Sequence, residues 1–298
     1  MTAVTDSTID SIGLADHIGP INADTSRHLP PGALSGAGAG ADHELAQRTA
    51  SLDNELLRAS FVEQGAFIFL EDFLPAGVTE RLIAATRSVQ GEINRSYLPG
   101  HKSSGSVSRH TIDRMAPFIA ELYRSPALIA WLESMCGERL LPSPANDPHA
   151  YALYFYTRPG DHMGWHYDTS YYEGRRYTLL LGVVNDSSCK LEYRLHTRTP
   201  EIAVVPGAAQ MPPGGLIFFD GDKLHHRITP LGEDEERVSL TFEYVTNAHM
   251  RPWQRFISNM KDAVAYFGFR QVFRQLRGGK SGNASGNPGK PGNSGTPA

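Results

Sequence analysis

Eight short runs of strand-forming residues lie between His149 and Thr246, and they limit the fold of this chain more than any other feature. Val, Ile, Tyr, Phe and Thr dominate these runs, and Pro and Gly separate them. Such a pattern is typical of many short strands joined by turns. It predicts a mainly β fold with flanking helices, a double-stranded β-helix or jelly-roll barrel. The predicted strands are residues 149–157, 163–168, 176–184, 189–195, 201–205, 215–220, 225–229 and 237–246.

Two of these strands carry residues that could bind a metal. In the second strand His166 and Asp168 are two positions apart, so their side chains point to the same side. A second histidine from the seventh strand, His225 or His226, would complete a face of two histidines and one carboxylate. That set suits Fe(II) and leaves coordination positions open. The alternative is three polar residues that are simply satisfied within a core.

The last predicted strand carries a cation that could bind a carboxylate. Strand alternation places Arg237, Ser239 and Thr241 on one face and apolar residues on the other. An enclosed guanidinium offers a two-pronged, permanently charged partner for a carboxylate co-substrate. The alternative is a surface ion pair with the acidic run at residues 233–236.

The stretches YTRPGDHMGWHYD, from Tyr156, and FFDGDKLHHRITPLGEDEERVSLTFEY resemble the core of the Fe(II)/2-oxoglutarate-dependent dioxygenases of the prolyl-hydroxylase type. The resemblance covers about residues 150–246. It selects His226 over His225, because Ile228 and Pro230 follow His226 at the family's spacing. It implies that Fe(II) is bound by His166, Asp168 and His226, and that 2-oxoglutarate is bound by Arg237, Ser239 and Tyr156. No catalytic residue beyond the metal ligands is implied, and Tyr156 could equally be an ordinary strand aromatic.

Within that family the chain looks most like a bacterial branch of amino-acid halogenases and hydroxylases. Halogenases of this kind replace the carboxylate ligand with Gly or Ala to admit chloride, whereas this chain keeps Asp168. The resemblance therefore implies an oxygenase that hydroxylates an unactivated C–H bond of a small molecule such as an amino acid, with dioxygen as the other reactant. Two alternatives stay open, a halogenase and a non-oxidative jelly-roll metalloprotein that uses Zn(II).

Composition sets the remaining limits. The chain has 298 residues and a net charge of −4, with no basic stripe, which argues against nucleic-acid and membrane partners. Two cysteines are too few for a disulfide framework, and no signal peptide is present, so a cytoplasmic location is expected. The oligomeric state is not indicated. Low-complexity composition predicts a mostly disordered segment at 1–50 and a flexible tail at 278–298, which leaves a catalytic domain at 51–277.

Helices are predicted around the barrel, and substrate contacts are sought near its mouth. Helices are expected over 52–65, 77–93 and 116–136, and a further helix after residue 250 is expected either to pack on the barrel or to serve as a lid. The polar segment from Arg95 to Thr111 is predicted to be a mobile loop that closes over substrate. Arg109, preferred to Lys102, and Thr169 are the candidate substrate residues.

Overall fold

The computed structural model describes residues 36–144, 147–170 and 172–249. In this part of the chain there are six α-helices and twelve β-strands. The helices are α1 Gly36–Ala50, α2 Asn54–Glu63, α3 Ala76–Ser88, α4 Arg109–Met115, α5 Pro117–Tyr123 and α6 Pro126–Cys136. The strands are β1 Phe67–Leu70, β2 Asn94–Leu98, β3 Lys102–Val107, β4 Leu141–Pro142, β5 Tyr151–Tyr156, β6 His162–His166, β7 Arg176–Asp186, β8 Leu191–Leu195, β9 Val205–Ala209, β10 Leu216–Asp220, β11 His225–Ile228 and β12 Glu236–Val245.

The eight predicted strands correspond to β5 through β12, and they pair as a jelly roll. One antiparallel sheet has the order β10-β7-β12-β5 and the other has the order β6-β11-β8-β9. Strand β3 joins the two sheets, because it pairs with β5 along one part and with β6 along another. The predicted fold class is therefore confirmed. Only β9 is displaced, because a turn in which Ile202 donates to the Thr199 carbonyl occupies the start of the predicted run.

The segment from Arg95 to Thr111 has regular structure, so the prediction of an unstructured loop is wrong. It forms the hairpin β2–β3 and the start of α4. The turn is Leu98-Pro99-Gly100-His101, in which the His101 N–H donates to the Leu98 carbonyl and Gly100 has φ +70°. Pro-Gly at these positions is a turn signal that outweighs the Ser and Gly content of the flanking residues.

Helix α1 lies in the segment that composition predicted to be mostly disordered, and for residues 36–50 that prediction is wrong. Ala41 and Leu45 are buried four residues apart and pack into the helical layer. A Cβ atom at Gly38 would come within 2.6 Å of a Glu121 carboxylate oxygen. The glycines here therefore permit close packing of helices, which composition alone cannot distinguish from disorder.

The single helix predicted over residues 116–136 is two helices, α5 and α6. Pro126 disfavours helical geometry at Ser125, whose hydroxyl instead accepts from the Leu128 N–H and caps α6. Gly137 ends α6 in the left-handed conformation, φ 71°. On either side of the break, α5 packs against the large sheet, where Tyr123 stacks on Tyr244, and α6 packs against α1 and α2.

The core has two parts, one on each face of the β10-β7-β12-β5 sheet. The outer face packs against the helices through alternating residues of β12, among them Leu240 and Phe242, together with residues of β5 and β7. The inner face, with Leu180 and Ile217, packs against the second sheet. Between the two sheets the alternation leaves room for polar side chains at one end of the barrel.

Two predictions concern parts of the chain outside the described residues. The helix after residue 250 and the tail at 278–298 both lie there, as do residues 1–35 of the predicted disordered segment. Among the described helices, none combines the length and the apolar character needed to cross a membrane.

Candidate metal centre and co-substrate site

The three predicted metal ligands, His166, Asp168 and His226, lie close together between the two sheets. His166 ends β6 and lies directly opposite His226 of β11 in the strand register. Asp168 follows two residues after His166, and the candidate ligand atoms of all three side chains lie within 4.8 Å of one another. His166 Nε2 is 3.5 Å from one Asp168 oxygen, and His226 Nε2 is 3.8 Å from the other.

Backbone carbonyls orient both imidazoles. His166 Nδ1 lies 2.8 Å from the Gly164 carbonyl oxygen, and His226 Nδ1 lies 3.2 Å from that of Leu224. Because a carbonyl only accepts, each Nδ1 carries the proton and each Nε2 presents its lone pair to the centre. Burial lowers the pKa of His226 to about 4, so this ring is neutral at neutral pH. At His166 burial lowers the pKa, but the neighbouring Asp168 carboxylate outweighs it and raises the pKa above its usual value. Two imidazoles that face the centre through Nε2 and a carboxylate are a donor set that fits Fe(II).

The carboxylate of Asp168 is fixed by a polar network from the large sheet. Thr178 Oγ1 lies 3.0 Å from Asp168 Oδ2 and 3.0 Å from Glu243 Oε2. Arg176 Nε donates to Glu243 at 2.7 Å. Burial would raise the pKa of Asp168, but the neighbouring His226, His166 and Arg176 outweigh it and lower the pKa well below its usual range. Asp168 is therefore anionic at neutral pH.

The net pKa shift of Glu243 is opposite to that of Asp168. Burial raises the pKa of the Glu243 carboxyl group to about 7, although the Arg176 guanidinium partly offsets the shift. Arg176, Thr178 and Glu243 were not identified from the sequence, yet a signal existed for all three. Glu243 shares its strand face with Arg237 and Ser239, and Arg176 and Thr178 alternate along β7 in the same way.

Arg237 is a buried cation in the same cavity. Its side chain is 3% exposed, stands over the Tyr156 ring at 5.1 Å, and lies 3.4 Å from the Ser239 hydroxyl. Within the described ranges no carboxylate pairs with it, so the predicted alternative of an ion pair with residues 233–236 is not observed. A buried guanidinium without an anion is costly, and a bound carboxylate would remove that cost.

One cavity of about 100 Å³ joins the two groups. Its wall contains the three candidate ligands together with Arg237, Ser239 and Tyr156. The predicted metal residues and the predicted co-substrate residues therefore share one space between the sheets. The remaining wall includes Tyr154, Met163, Arg176, Leu180, Leu191, Ile228, Thr241 and Glu243.

The neighbours of the ligands point to the opposite face of the sheet, as strand alternation predicted. His225 stacks between Trp165, at 4.9 Å, and Tyr167, at 4.7 Å, and so does not face the metal centre. Arg194 and Arg198 lie 4.2 Å over the Trp165 and Tyr167 rings respectively. This stack holds β6 and β11 together from behind the ligands.

The two candidate substrate residues lie away from this cavity wall. Arg109 is 6% exposed, and its guanidinium donates to the carbonyls of Pro144 and Asp147 and stands over the Tyr151 ring. Both hydrogen bonds come from Nη1, and Nε lies 3.5 Å from the Asp113 carboxylate. Thr169 is exposed next to Asp168, with its carbonyl 3.5 Å from Arg176.

Comparison with known proteins agrees with this architecture. A family model described as Halogenase D matches residues 51–173, which is less than half of the chain. No curated protein matches the sequence. The fold is that of the Fe(II)/2-oxoglutarate-dependent oxygenases, as the sequence resemblance predicted. The described residues also include a His-Asp-His group that could hold a metal.

Particular solved structures share this fold at low sequence identity. The non-haem α-ketoglutarate-dependent epimerase SnoN from nogalamycin biosynthesis matches with a TM-score of 0.53 and 17% identity, over 64% of this chain and 81% of its own. A prolyl hydroxylase from Trichoplax adhaerens matches with a TM-score of 0.52 and 14% identity, over 72% and 96%. AviO1 from Streptomyces viridochromogenes Tue57 matches with a TM-score of 0.50 and 18% identity, over 65% and 97%.

Proposed function

We propose that this protein is an Fe(II)- and 2-oxoglutarate-dependent oxygenase that acts on a small molecule. One observation carries the proposal: a His-Asp-His group lines the same cavity as a buried guanidinium that pairs with no carboxylate of the described residues. The first group fits a metal that needs open positions, and the second fits the carboxylate of a keto-acid. The epimerase SnoN, which has this fold, has been crystallised with Fe3+ and α-ketoglutarate.

Each residue has a definite task in this proposal. His166, Asp168 and His226 would hold Fe(II), and Arg237, with Ser239 and Tyr156 beside it, would hold the far carboxylate of 2-oxoglutarate. The bound iron and keto-acid supply the activation of dioxygen. The protein orients the ligands through the Gly164 and Leu224 carbonyls and confines the reaction to a cavity between two sheets.

We propose hydroxylation of an unactivated C–H bond of a small molecule such as an amino acid, and the observation that favours hydroxylation is Asp168. Its carboxylate lies at the centre of the ligand group and accepts from Thr178, so the place that a halide would need is taken. The match to the Halogenase D family favours halogenation as a second candidate.

We propose a cytoplasmic location for the protein. Both described cysteines, Cys136 and Cys189, have free thiols, as expected in a reducing cytoplasm.

The test is succinate release from 2-oxoglutarate, with and without Fe(II), across free amino acids and small acids. Wild-type protein should release succinate only with Fe(II), and Asp168→Ala should be inactive because the metal loses its charged ligand. Arg237→Ala should raise the KM for 2-oxoglutarate about ten- to a hundredfold, the effect of one charge-assisted contact. Arg87→Ala, on the exposed end of α3, is the matched arginine control.

Three results would contradict the proposal or one of its parts. An unchanged KM in Arg237→Ala would remove the co-substrate assignment. A chlorinated product from protein with Asp168 intact would favour the halogenase. Stoichiometric Zn(II) in the purified protein, together with turnover that needs no 2-oxoglutarate, would favour a non-oxidative metalloprotein.

A further inference from the structure

A second cavity, which we call the hairpin chamber, lies beside the metal cavity. Its volume is about 130 Å³, and Tyr154 of β5 is part of the wall of both cavities. The hairpin β2–β3 supplies most of the remaining wall. The chamber residues are Asn94, Arg95, Ser96, Lys102, Ser106, Val107, Ser108, Pro148, His149, Ala152 and Tyr154.

The hairpin chamber is cationic. Among the described residues its wall contains the cations Arg95 and Lys102 and no Asp or Glu. The charge of Arg95 is balanced, because its guanidinium pairs with Asp161, a buried carboxylate that also accepts from Ser103. Lys102 differs, since no carboxylate of the described residues pairs with its ammonium group. The ammonium group of Lys102 is therefore available to pair with an anionic ligand.

Lys102 is held in place near the metal centre. It begins β3 opposite Met163 of β6, three residues before His166. Its ammonium nitrogen stands 5.0 Å from the centre of the Tyr154 ring. Burial lowers the pKa of Lys102 to about 8, so the group is desolvated yet still charged at neutral pH. In the same wall the buried Ser96 hydroxyl has no hydrogen-bond partner among the described residues.

We propose that the hairpin chamber binds the carboxylate of the primary substrate, with Lys102 as its counter-ion. This inference rests on the proposed function, because it places the rest of the substrate across Tyr154 at the metal cavity. A single unpaired ammonium matches a monoanion. A phosphate would need more positive charge, and Arg95, the residue with the fork geometry that phosphate prefers, is already paired with Asp161.

Binding is the test, because it does not depend on turnover. The full chain is loaded with Zn(II) and 2-oxoglutarate, and ligand-observed NMR is recorded with free amino acids and small carboxylic acids, each beside its carboxamide. At least one acid should bind, and its carboxamide should bind about tenfold more weakly or worse. Lys102→Met should lose about tenfold in affinity for the acid, and Lys102→Arg should recover part of it. Lys190→Met, at an exposed lysine, should behave as wild type.

Three outcomes would overturn the inference: no acid binds, the carboxamide binds as well as its acid, or Lys102→Met binds the acid with wild-type affinity. Thermal unfolding of each variant checks that the fold is retained. The affinity for 2-oxoglutarate, measured in the same samples, should change by less than about twofold in Lys102→Met, because Arg237 serves that ligand. Failure of the proposed function shows separately, as absence of Fe(II)-dependent succinate release by wild-type protein.

Discussion

At the scale of the residue, the candidate metal centre depends on a side chain that does not touch the metal position. Thr178 links Asp168 to Glu243 and thereby fixes the carboxylate that the two histidines face. Thr178→Val keeps the shape of the side chain and removes the hydroxyl. We expect its affinity for Fe(II) to fall about ten- to a hundredfold, as for other lost partners of a metal ligand.

The measurement is a competition titration of Fe(II), under anaerobic conditions, against a chelator of known affinity. Thr178→Ser retains the hydroxyl and is the matched control, and it should stay close to wild type. Wild-type affinity in Thr178→Val would show that Asp168 holds its position without this hydrogen bond.

Residues that carry a characteristic spacing could be predicted, and residues that act only through packing could not. His166, Asp168 and Arg237 follow from period-two alternation and a resemblance that fixes their order. The ion pair of Arg176 with Glu243 depends on the register of β7 against β12, which is shifted by an irregularity between Val238 and Ser239. No local pattern encodes that register, because it is set by the packing of both sheets.

At the scale of the element, the hairpin β2–β3 connects the two sheets and carries Lys102. Its turn needs Gly100 at φ +70°, a conformation that side chains with a Cβ adopt at a cost of about 1–2 kcal/mol. No atom lies within 4 Å of a Cβ added there, so any cost would come from the backbone alone. Gly100→Ala should therefore lower the free energy of unfolding by about 1 kcal/mol.

Gly91 is the matched control, because a Cβ added there also meets no atom within 4 Å and its φ is not positive. Urea unfolding of Gly91→Ala should give a midpoint at or above that of wild type, since Gly itself is costly in a helical turn. Equal midpoints for the two variants would mean that the turn tolerates a side chain and that the hairpin register does not depend on Gly100.

The elements of the barrel were easier to predict than those that precede it in the sequence. The runs that form β5–β12 are rich in β-branched and aromatic residues and are separated by Pro and Gly, so their number and order indicated a jelly roll. In the hairpin the residues Ser103, Ser104 and Gly105 lack that alternation, although β3 lies between two other strands and Ser104 is fully buried. The small residues let neighbouring segments approach β3 closely, since a Cβ at Gly105 would come within 2.4 Å of the Ile93 side chain.

At the scale of the whole molecule, the hairpin chamber links function to stability through one desolvated charge. The pKa of Lys102 falls from an ordinary value of 10.5 to about 8 on folding, because burial disfavours the ammonium form. Below pH 8 Lys102 is protonated in both the folded and the unfolded chain, and burial of its charge destabilises the folded state to the full extent. Between pH 8 and 10.5 the folded state releases its proton first, so this cost diminishes, and above 10.5 it is absent.

The free energy of unfolding of wild type, measured relative to Lys102→Met, should therefore rise with pH between 8 and 10.5, by up to about 1 kcal/mol per pH unit. The difference between the two proteins removes the contributions of groups common to both, including the chamber's Arg95–Asp161 pair, His149 and Tyr154. Over the same range the affinity for a bound carboxylate should fall, because the ammonium that attracts it is lost. Urea unfolding and NMR binding at pH 7, 8, 9 and 10 measure both quantities. The inference would be contradicted if neither the difference in free energy of unfolding nor the carboxylate affinity changed with pH. Lys102 would then be solvated, and its ammonium group would not select the ligand.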